Sequence, residues 1–235
     1  MYTPHSTERA SVSKFPPLAH RGEVSRSVGR PQQSAPLMRK YAAACLSEDG
    51  GITEMERLAP ATPDFEQAFS AFTHSTQIYA PGGSIQASDL IPGDIVSTAS
   101  GQERRVVWIG SMTGVPTMDQ PELPNFKLVR ITADTFGLDR PMGDLTLAPS
   151  AVISAGYENI AAGDRVDGDS VCQLMPQSSV RMFHVMLDRP GQVLANGIPV
   201  ASYVPNTRFV EKMGPNRKAL FTSFFENTSF NFAEI

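Results

Sequence analysis

The sequence has little cysteine, because only Cys45 and Cys172 occur among its 235 residues. Two cysteines can form at most one bridge, and neither lies in a Cys-x-x-Cys or Cys/His pattern. A disulfide framework and a structural zinc site are therefore not expected. No other cofactor or metal motif stands out, so the sequence predicts a protein without either.

Long apolar runs are also missing. No stretch approaches the roughly 18 apolar residues that a membrane helix needs, and the N-terminus lacks the apolar segment of a secretory signal peptide. These features predict a soluble protein without an integral membrane segment. A cytoplasmic location is expected by default, with export by another route left open.

Positive charge is scarce outside the N-terminal part of the chain. Residues 1–40 carry a net charge of +5, whereas residues 41–235 carry −9. An acidic body argues against nucleic-acid binding, because contacts to phosphates need clustered positive charge. The expected partner is instead another protein, whose identity the sequence does not give.

Proline and glycine are abundant, with 19 and 18 copies, and they separate many short β-prone runs. Many short strands without intervening helices predict an all-β domain. Asn196-Gly197 is a favoured pair for a two-residue type I′ turn, so it predicts a hairpin. The expected strands are 77–79, 84–86, 94–97, 105–109, 127–132, 145–147, 152–154, 171–175, 181–187, 192–195 and 198–203.

The segments on either side of this β-rich region have other compositions. Residues 1–60 are rich in Pro, Ser, Arg and Gln and predict a flexible basic arm, with a short helix at 38–46. Residues 61–72 predict an amphipathic helix, since Thr62-Pro63 is a helix-start signal and apolar residues follow at helical spacing. The tail at 206–235 contains apolar clusters that suit a docked helix.

The order of turns and strands between residues 69 and 205 resembles the bacterial form of the Hint (hedgehog/intein) domain. The pieces that carry the resemblance are "FTHSTQIYAPGGSIQASDLIPGDIVSTASG", "RRVVWIG", "VRITADTFG", "DLTLAPSAVI" and "FHVMLDRPGQVLANGIPVASY". The resemblance implies a compact, horseshoe-like all-β fold. It also implies autoproteolysis, in which a Cys or Ser attacks the preceding backbone carbonyl while other groups polarise that amide.

The catalytic positions that this resemblance implies are all replaced. Ala71 stands at the nucleophile position, and Ala148 and Ala151 stand where the family has Ser and His in a Ser-Pro-x-His-like block. Pro190 stands where related sequences have His after Leu-Asp-Arg. These vestigial positions predict a catalytically inactive binding or structural module.

Two alternatives stay open. Ser70 or Thr73 could serve as a substitute nucleophile in a residual self-cleaving enzyme, although a shift by one or two residues moves the scissile carbonyl by several ångströms. His184 could be imagined in an improvised triad with Asp188, but a hydrogen-bonded structural histidine is the plainer interpretation. The chain could also be an unrelated β-domain with an activity that the sequence does not reveal.

Two further residue groups are interpreted as structural. Asp134, Asp139 and Asp144 have a five-residue spacing that matches no EF-hand loop, so they are expected to be loop acids. Cys172 is expected to be a small core residue.

Overall fold

A computed structural model describes residues 37–116, 126–156, 158–226 and 228 of the chain. These residues form fifteen strands and three short α-helices. The strands are β1 (Met38–Leu46), β2 (Ile52–Pro60), β3 (Phe72–Thr73), β4 (Gln77–Ala80), β5 (Gly83–Gln86), β6 (Ile95–Ser97), β7 (Glu103–Gly114), β8 (Leu128–Ile131), β9 (Leu145–Leu147), β10 (Val152–Ala155), β11 (Glu158–Ala161), β12 (Val171–Leu174), β13 (Val180–Leu187), β14 (Gln192–Ala195) and β15 (Ile198–Ala201). The helices are α1 (Pro63–Phe69), α2 (Thr207–Lys212) and α3 (Pro215–Thr222).

The strands form two antiparallel sheets in the described part of the chain. The larger sheet has the order β12-β8-β9-β3-β13-β7-β1-β2, with β6 paired to the start of β7. The smaller sheet has the order β11-β10-β15-β14-β4-β5. The all-β fold class predicted from the sequence is confirmed.

Two hydrophobic cores hold these elements together. The first core contains inward-facing residues from both sheets, including Phe72, Ile109 and Val193. The second core lies where α1 and the C-terminal helices pack on the larger sheet, around Trp108 and Phe224. The long strand β7 contributes to both, since its side chains alternate between the two faces.

The N-terminal prediction is wrong from residue 38 onward. Residues 38–60 were expected to be flexible with a helix at 38–46, but they form the paired strands β1 and β2. β1 also pairs with β7, which makes the hairpin part of the larger sheet. Burial along β1 alternates with a period of two residues, because Tyr41, Ala43 and Cys45 are buried while their neighbours are not. Residues 1–36 lie outside the described residues.

The entry helix and the Asn196-Gly197 hairpin are both found. Helix α1 begins after Thr62, but the Thr62 side chain makes no capping hydrogen bond, and Phe72 belongs to β3 rather than to the helix. Asn196 and Gly197 have φ values of 47° and 85°, as a type I′ turn requires. A Cβ on Gly197 would also lie 2.9 Å from the Asp139 carbonyl oxygen. The hairpin prediction is confirmed.

The tail after residue 206 forms α2, α3 and a 3-10 turn at Ser223–Phe225. Phe221, Phe224 and Phe225 of this tail are buried in the second core. No helix in the described ranges is long and apolar enough to cross a membrane.

Candidate functional site

Ala71 lies between the end of α1 and the start of β3. Its backbone N–H donates a hydrogen bond to the Phe183 carbonyl (2.8 Å), and its carbonyl accepts one from the Ala148 N–H (2.9 Å). The side chain is fully buried in the first core. The fold therefore brings two positions that are 77 residues apart in the sequence into direct backbone contact.

The block 148–151 forms a tight turn after β9. The Ala151 N–H donates to the Ala148 carbonyl (3.0 Å), and both side chains are 2% exposed. Three of the four positions predicted to be vestigial, Ala71, Ala148 and Ala151, are thus buried and linked by backbone hydrogen bonds, with the Ala71 and Ala151 side chains in the first core and the Ala148 side chain in the second. Their methyl groups carry no heteroatom that could attack or polarise a peptide bond.

Pro190 is the fourth of these predicted positions. It lies in the exposed loop between β13 and β14, and no hydrogen bond in the described residues connects it to the three alanines.

The two candidate substitute nucleophiles, Ser70 and Thr73, are buried, and their hydroxyls take part in hydrogen bonds. The Ser70 hydroxyl donates to the Glu66 carbonyl at 2.6 Å, which closes the last turn of α1. The Thr73 hydroxyl lies 3.2 Å from the Thr76 hydroxyl and 3.4 Å from the Thr146 carbonyl oxygen. Within the described ranges, no imidazole or carboxylate is hydrogen-bonded to either hydroxyl, so neither has a base that could activate it.

His184 is buried on β13 beside the candidate site. Its Nδ1 lies 2.9 Å from the Gln67 carbonyl oxygen, so this nitrogen is protonated and donates a hydrogen bond to that carbonyl in α1. The ring packs against Tyr203 and Phe72, with centroid distances of 5.2 and 6.2 Å. Burial lowers the pKa of His184 to about 4, while the backbone carbonyls of Gln67 and Ala201 act in the opposite direction. This geometry suits a neutral imidazole that ties α1 to the larger sheet.

A small cavity of about 340 Å³ adjoins His184. Ser150, Val152, Ser202 and Asn206 are among its lining residues. Ser150 and Val152 flank Ala151, but Ala151 itself does not line this cavity. This cavity therefore lies next to Ala151 but is not lined by Ala71, Ala148 or Ala151.

The low pKa of His184 predicts a loss of stability in mild acid. The unfolded chain takes up a proton near the ordinary value of 6.5, but the folded chain does so only near 4. Stability is therefore fully present above pH 6.5 and falls as the pH drops from 6.5 towards 4. We expect the free energy of unfolding to decrease by about 2 kcal/mol between pH 7 and pH 5 through this group.

Urea unfolding of the wild type and of a His184→Gln variant at both pH values measures this effect. Glutamine can still donate to the Gln67 carbonyl but does not titrate, so the variant should lose most of the pH dependence. His74→Gln is the matched control, because His74 is exposed and its replacement should leave the dependence intact. Equal pH dependence in the wild type and His184→Gln would contradict the prediction.

The carboxylates of two of the three loop aspartates, Asp134 and Asp144, accept hydrogen bonds from the backbone of their own loop. An Asp134 carboxylate oxygen accepts from the Asp139 N–H at 2.6 Å, and Asp144 accepts from the Ala133 N–H at 3.1 Å. Within the described residues, no group of three or more His, Cys, Asp or Glu side chains is placed to hold a metal ion.

The interpretation of Cys172 as a core residue is wrong. Its side chain is half-buried, and its thiol lies 3.2 Å from the Asp169 carbonyl oxygen. Cys172 lies on β12, which is the edge strand of the larger sheet. The neighbouring residue Val171, whose side chain lies on the opposite face of β12, is buried in the first core, whereas Cys172 is not.

Sequence reasoning missed the contacts between the segments that precede and follow the candidate site. Phe69 of α1 lies 4.8 Å from Phe224, and Phe65 lies 5.2 Å from Phe221, between ring centroids. The Trp108 indole N–H donates to the Phe224 carbonyl at 2.8 Å. The apolar stripe of α1 and the Phe224-Phe225 pair were visible in the sequence, but nothing there showed that they meet.

A family model described as the Hint domain matches residues 70–207, which is more than half of the chain. No curated protein sequence matches the chain significantly.

Solved intein structures are also similar to the chain. The crystal structure of the MchDnaB-1 intein has a TM-score of 0.39 and 17% sequence identity, and the match covers 55% of this chain and 98% of that one. A bacterial intein-like domain from Clostridium thermocellum has a TM-score of 0.42 and 12% identity over 57% of this chain and 98% of that one. A DnaB intein from Synechocystis sp. has a TM-score of 0.40 and 9% identity, with 57% and 99% covered.

Proposed function

Since the chain belongs to the Hint domain family, we propose that it is a Hint domain that has lost self-cleavage and acts as a binding or structural module. The observation that carries this proposal is the buried alanine group. Ala71 occupies the nucleophile position, and its backbone is hydrogen-bonded to Ala148 of the block that should polarise the scissile amide. The side chains at Ala71, Ala148 and Ala151 are methyl groups, which carry no atom that could attack or polarise that amide.

The alternative of residual cleavage has less support. The Ser70 hydroxyl is committed to the Glu66 carbonyl, and the Nδ1 proton of His184 is committed to Gln67. A hydroxyl without an adjacent base is a weak nucleophile at neutral pH. We therefore assign no catalytic role to Ser70, Thr73 or His184.

The segment that precedes Ala71 supports the same proposal. In an autoprocessing domain the polypeptide before the nucleophile is the part that is released. Here that segment includes β1, which pairs with β7 inside the larger sheet, and α1, which is buried in the second core. A cut at residues 70–71 would divide a hydrophobic core instead of releasing a separate unit.

Intact-mass measurement after incubation at neutral pH tests the proposal. The protein should keep its full-length mass with and without a thiol or hydroxylamine, which would trap a thioester or ester. The sample must be denatured before measurement, because fragments that share a hydrophobic core would stay together in native buffer. Masses that correspond to cleavage at Phe69–Ser70, Ser70–Ala71 or Phe72–Thr73 would overturn the non-catalytic proposal.

A further inference from the structure

The strand β2 forms one end of the larger sheet, and among the described residues no strand pairs with its outer side. It has nine residues, its register with β1 contains no bulge, and proline occurs only as its last residue. The strands at the other sheet ends, β5, β11 and β12, have four residues each. Short length, bulges and proline are the usual protection of a sheet edge against strand addition. By these criteria β2 is the least protected of the four edges.

The strand register shows which backbone groups of β2 point outward. The Ser47 N–H donates to the Gly51 carbonyl at one end of the β1–β2 hairpin (2.8 Å), and the Ala61 N–H donates to the Leu37 carbonyl at the other (2.7 Å). Because hydrogen-bonded and non-hydrogen-bonded pairs alternate in an antiparallel ladder, the odd-numbered residues of β2 are bonded to β1. The outward N–H and C=O groups belong to Ile52, Glu54, Glu56 and Leu58.

These outward groups are almost unused within the chain. Among the described residues, the only hydrogen bond to them comes from the Arg57 guanidinium, which donates to the Glu56 carbonyl at 3.3 Å. Both residues are exposed, so a backbone N–H of an added strand can take the place of this contact. The edge therefore offers a ladder of donors and acceptors spaced for one more strand.

The side chains of the four outward residues form a row on one face of β2, in which two acids lie between two apolar residues. Ile52 and Leu58 are 45% and 64% exposed at the ends of the row. Glu56 forms a salt bridge with Lys40 (2.7 Å), but both side chains are more than half exposed, so this pair contributes little stability. Within the described residues, Glu54 takes part in no salt bridge.

We propose that β2 binds an extended segment of a partner protein, which adds to the larger sheet as a further strand. The segment carries basic side chains beside Glu54 and Glu56 and apolar side chains beside Ile52 and Leu58. In this mode of recognition the main-chain hydrogen bonds supply affinity, and alternate side chains supply specificity. Opposite charges at neighbouring cross-strand positions stabilise such a pairing.

A second copy of the chain fits this edge less well than a basic segment. When two β2 strands pair antiparallel about a two-fold axis in the centred register, Glu54 lies opposite the partner's Glu56, and the same contact forms a second time by symmetry. Like charges directly opposite each other destabilise a strand pair. The four acidic side chains therefore oppose self-pairing but attract lysine or arginine.

This inference rests on the proposed function as a binding module, since it names the class of partner. The two can fail separately, because self-cleavage is detected by denaturing mass measurement and strand addition by peptide binding. A full-length mass without peptide binding would leave the loss of cleavage standing and would remove the basic partner.

Calorimetric titration of the full chain with the end-capped peptide Val-Thr-Lys-Thr-Lys-Thr-Val tests the proposal. Its two lysines lie beside Glu54 and Glu56 when its valines lie beside Ile52 and Leu58. We expect a Kd of about 10–100 µM, because one short strand forms an interface below the standard size. N-methylation of both lysines should weaken binding by about tenfold or more, since it removes two donors to β2. The matched control is N-methylation of two threonines, whose N–H groups point away from β2.

Variants of the protein test the two parts of the recognition. Glu54→Lys should weaken binding of the same peptide by about fivefold or more and reduce its dependence on salt. Glu158→Lys is the matched control, because it changes an exposed glutamate on another edge strand, β11. Leu58→Pro removes one outward N–H without changing the charge and should also weaken binding. Proline is tolerated at such an edge position, and an unchanged melting temperature would show that the fold persists.

Three results would overturn the inference. The first is a lack of peptide binding up to about 1 mM. The second is equal binding of the lysine-methylated peptide, which would show attraction by charge without strand pairing. The third is a dimer of the wild type in sedimentation that Leu58→Pro dissociates, because a second copy would then occupy this edge.

Discussion

A Phe224→Ala variant is expected to lose about 3–5 kcal/mol of unfolding free energy, which is the usual cost of deleting a buried phenylalanine ring. Phe224 is fully buried in the second core, 4.8 Å from Phe69 and 6.5 Å from Tyr41 between ring centroids. Its backbone carbonyl also accepts the Trp108 indole hydrogen bond. The substitution removes the ring but leaves that carbonyl, so the effect isolates the packing.

The substitution should also destabilise elements that are distant from residue 224 in the sequence. Tyr41 lies on β1 and Phe69 on α1, so a cavity at Phe224 loosens both N-terminal elements. We expect faster amide hydrogen exchange in residues 38–46 and 63–69, together with the lower unfolding free energy. The strands of the smaller sheet should keep their protection, because they belong to the first core.

Urea unfolding and hydrogen exchange of the full chain measure these two effects. Phe209→Ala is the matched control, since it deletes the same ring from the half-buried part of the tail and should cost clearly less. Faster exchange confined to residues 221–228, with β1 and α1 unaffected, would contradict the claim that the two flanking segments share one core.

The sequence predicted the strands of the central region well because each is bounded by turn residues with defined geometry. Asn196-Gly197 is the clearest case, since the required positive φ values restrict the residues that can occupy such a turn. All eleven predicted strands are present, with boundaries shifted by up to five residues, whereas β3 and β11 were not predicted. In this region the turn residues were sufficient to predict where strands form.

The hairpin β1–β2 was not predicted because the local sequence of β1 favours a helix. β1 contains the run Ala42-Ala43-Ala44, and alanine has the highest intrinsic helix propensity. The strand exists because it pairs with β7 and buries Tyr41 against Phe69. Tertiary pairing of this kind overrides propensity, and a single sequence does not display it.

The candidate site was only partly predictable. The family resemblance named Ala71, Ala148 and Ala151 together, and in the structure backbone hydrogen bonds link Ala71 to Ala148 and Ala148 to Ala151. It did not show that the space around them is closed. Closure depends on side-chain packing across both sheets, which no sequence motif encodes.

The closely packed space around Ala151 should make a larger side chain at this position destabilising. Ala151→His restores the side chain that the family resemblance implies at this position, yet we expect it to lower the unfolding free energy by about 2–5 kcal/mol. Ala151 is 2% exposed and belongs to the first core, and its carbonyl accepts the Ala162 N–H at 2.8 Å. An imidazole placed there must displace packed neighbours and bury a polar ring without a prepared hydrogen-bond partner.

Close packing should also destabilise a variant in which the family residues are restored at all four positions. Ala71→Cys adds one sulfur atom and should be tolerated, but it should not cleave alone because groups that act as a catalytic unit are strongly non-additive. The variant with Ala71→Cys, Ala148→Ser, Ala151→His and Pro190→His should be less stable than Ala71→Cys and should show no thiol-induced cleavage. Thermal unfolding and denaturing mass measurement decide this, with Ser150→His as the matched control, since Ser150 is exposed. A stable variant that cleaves between Ser70 and residue 71 would show that the cavity for the chemistry persists and that only its side chains were lost.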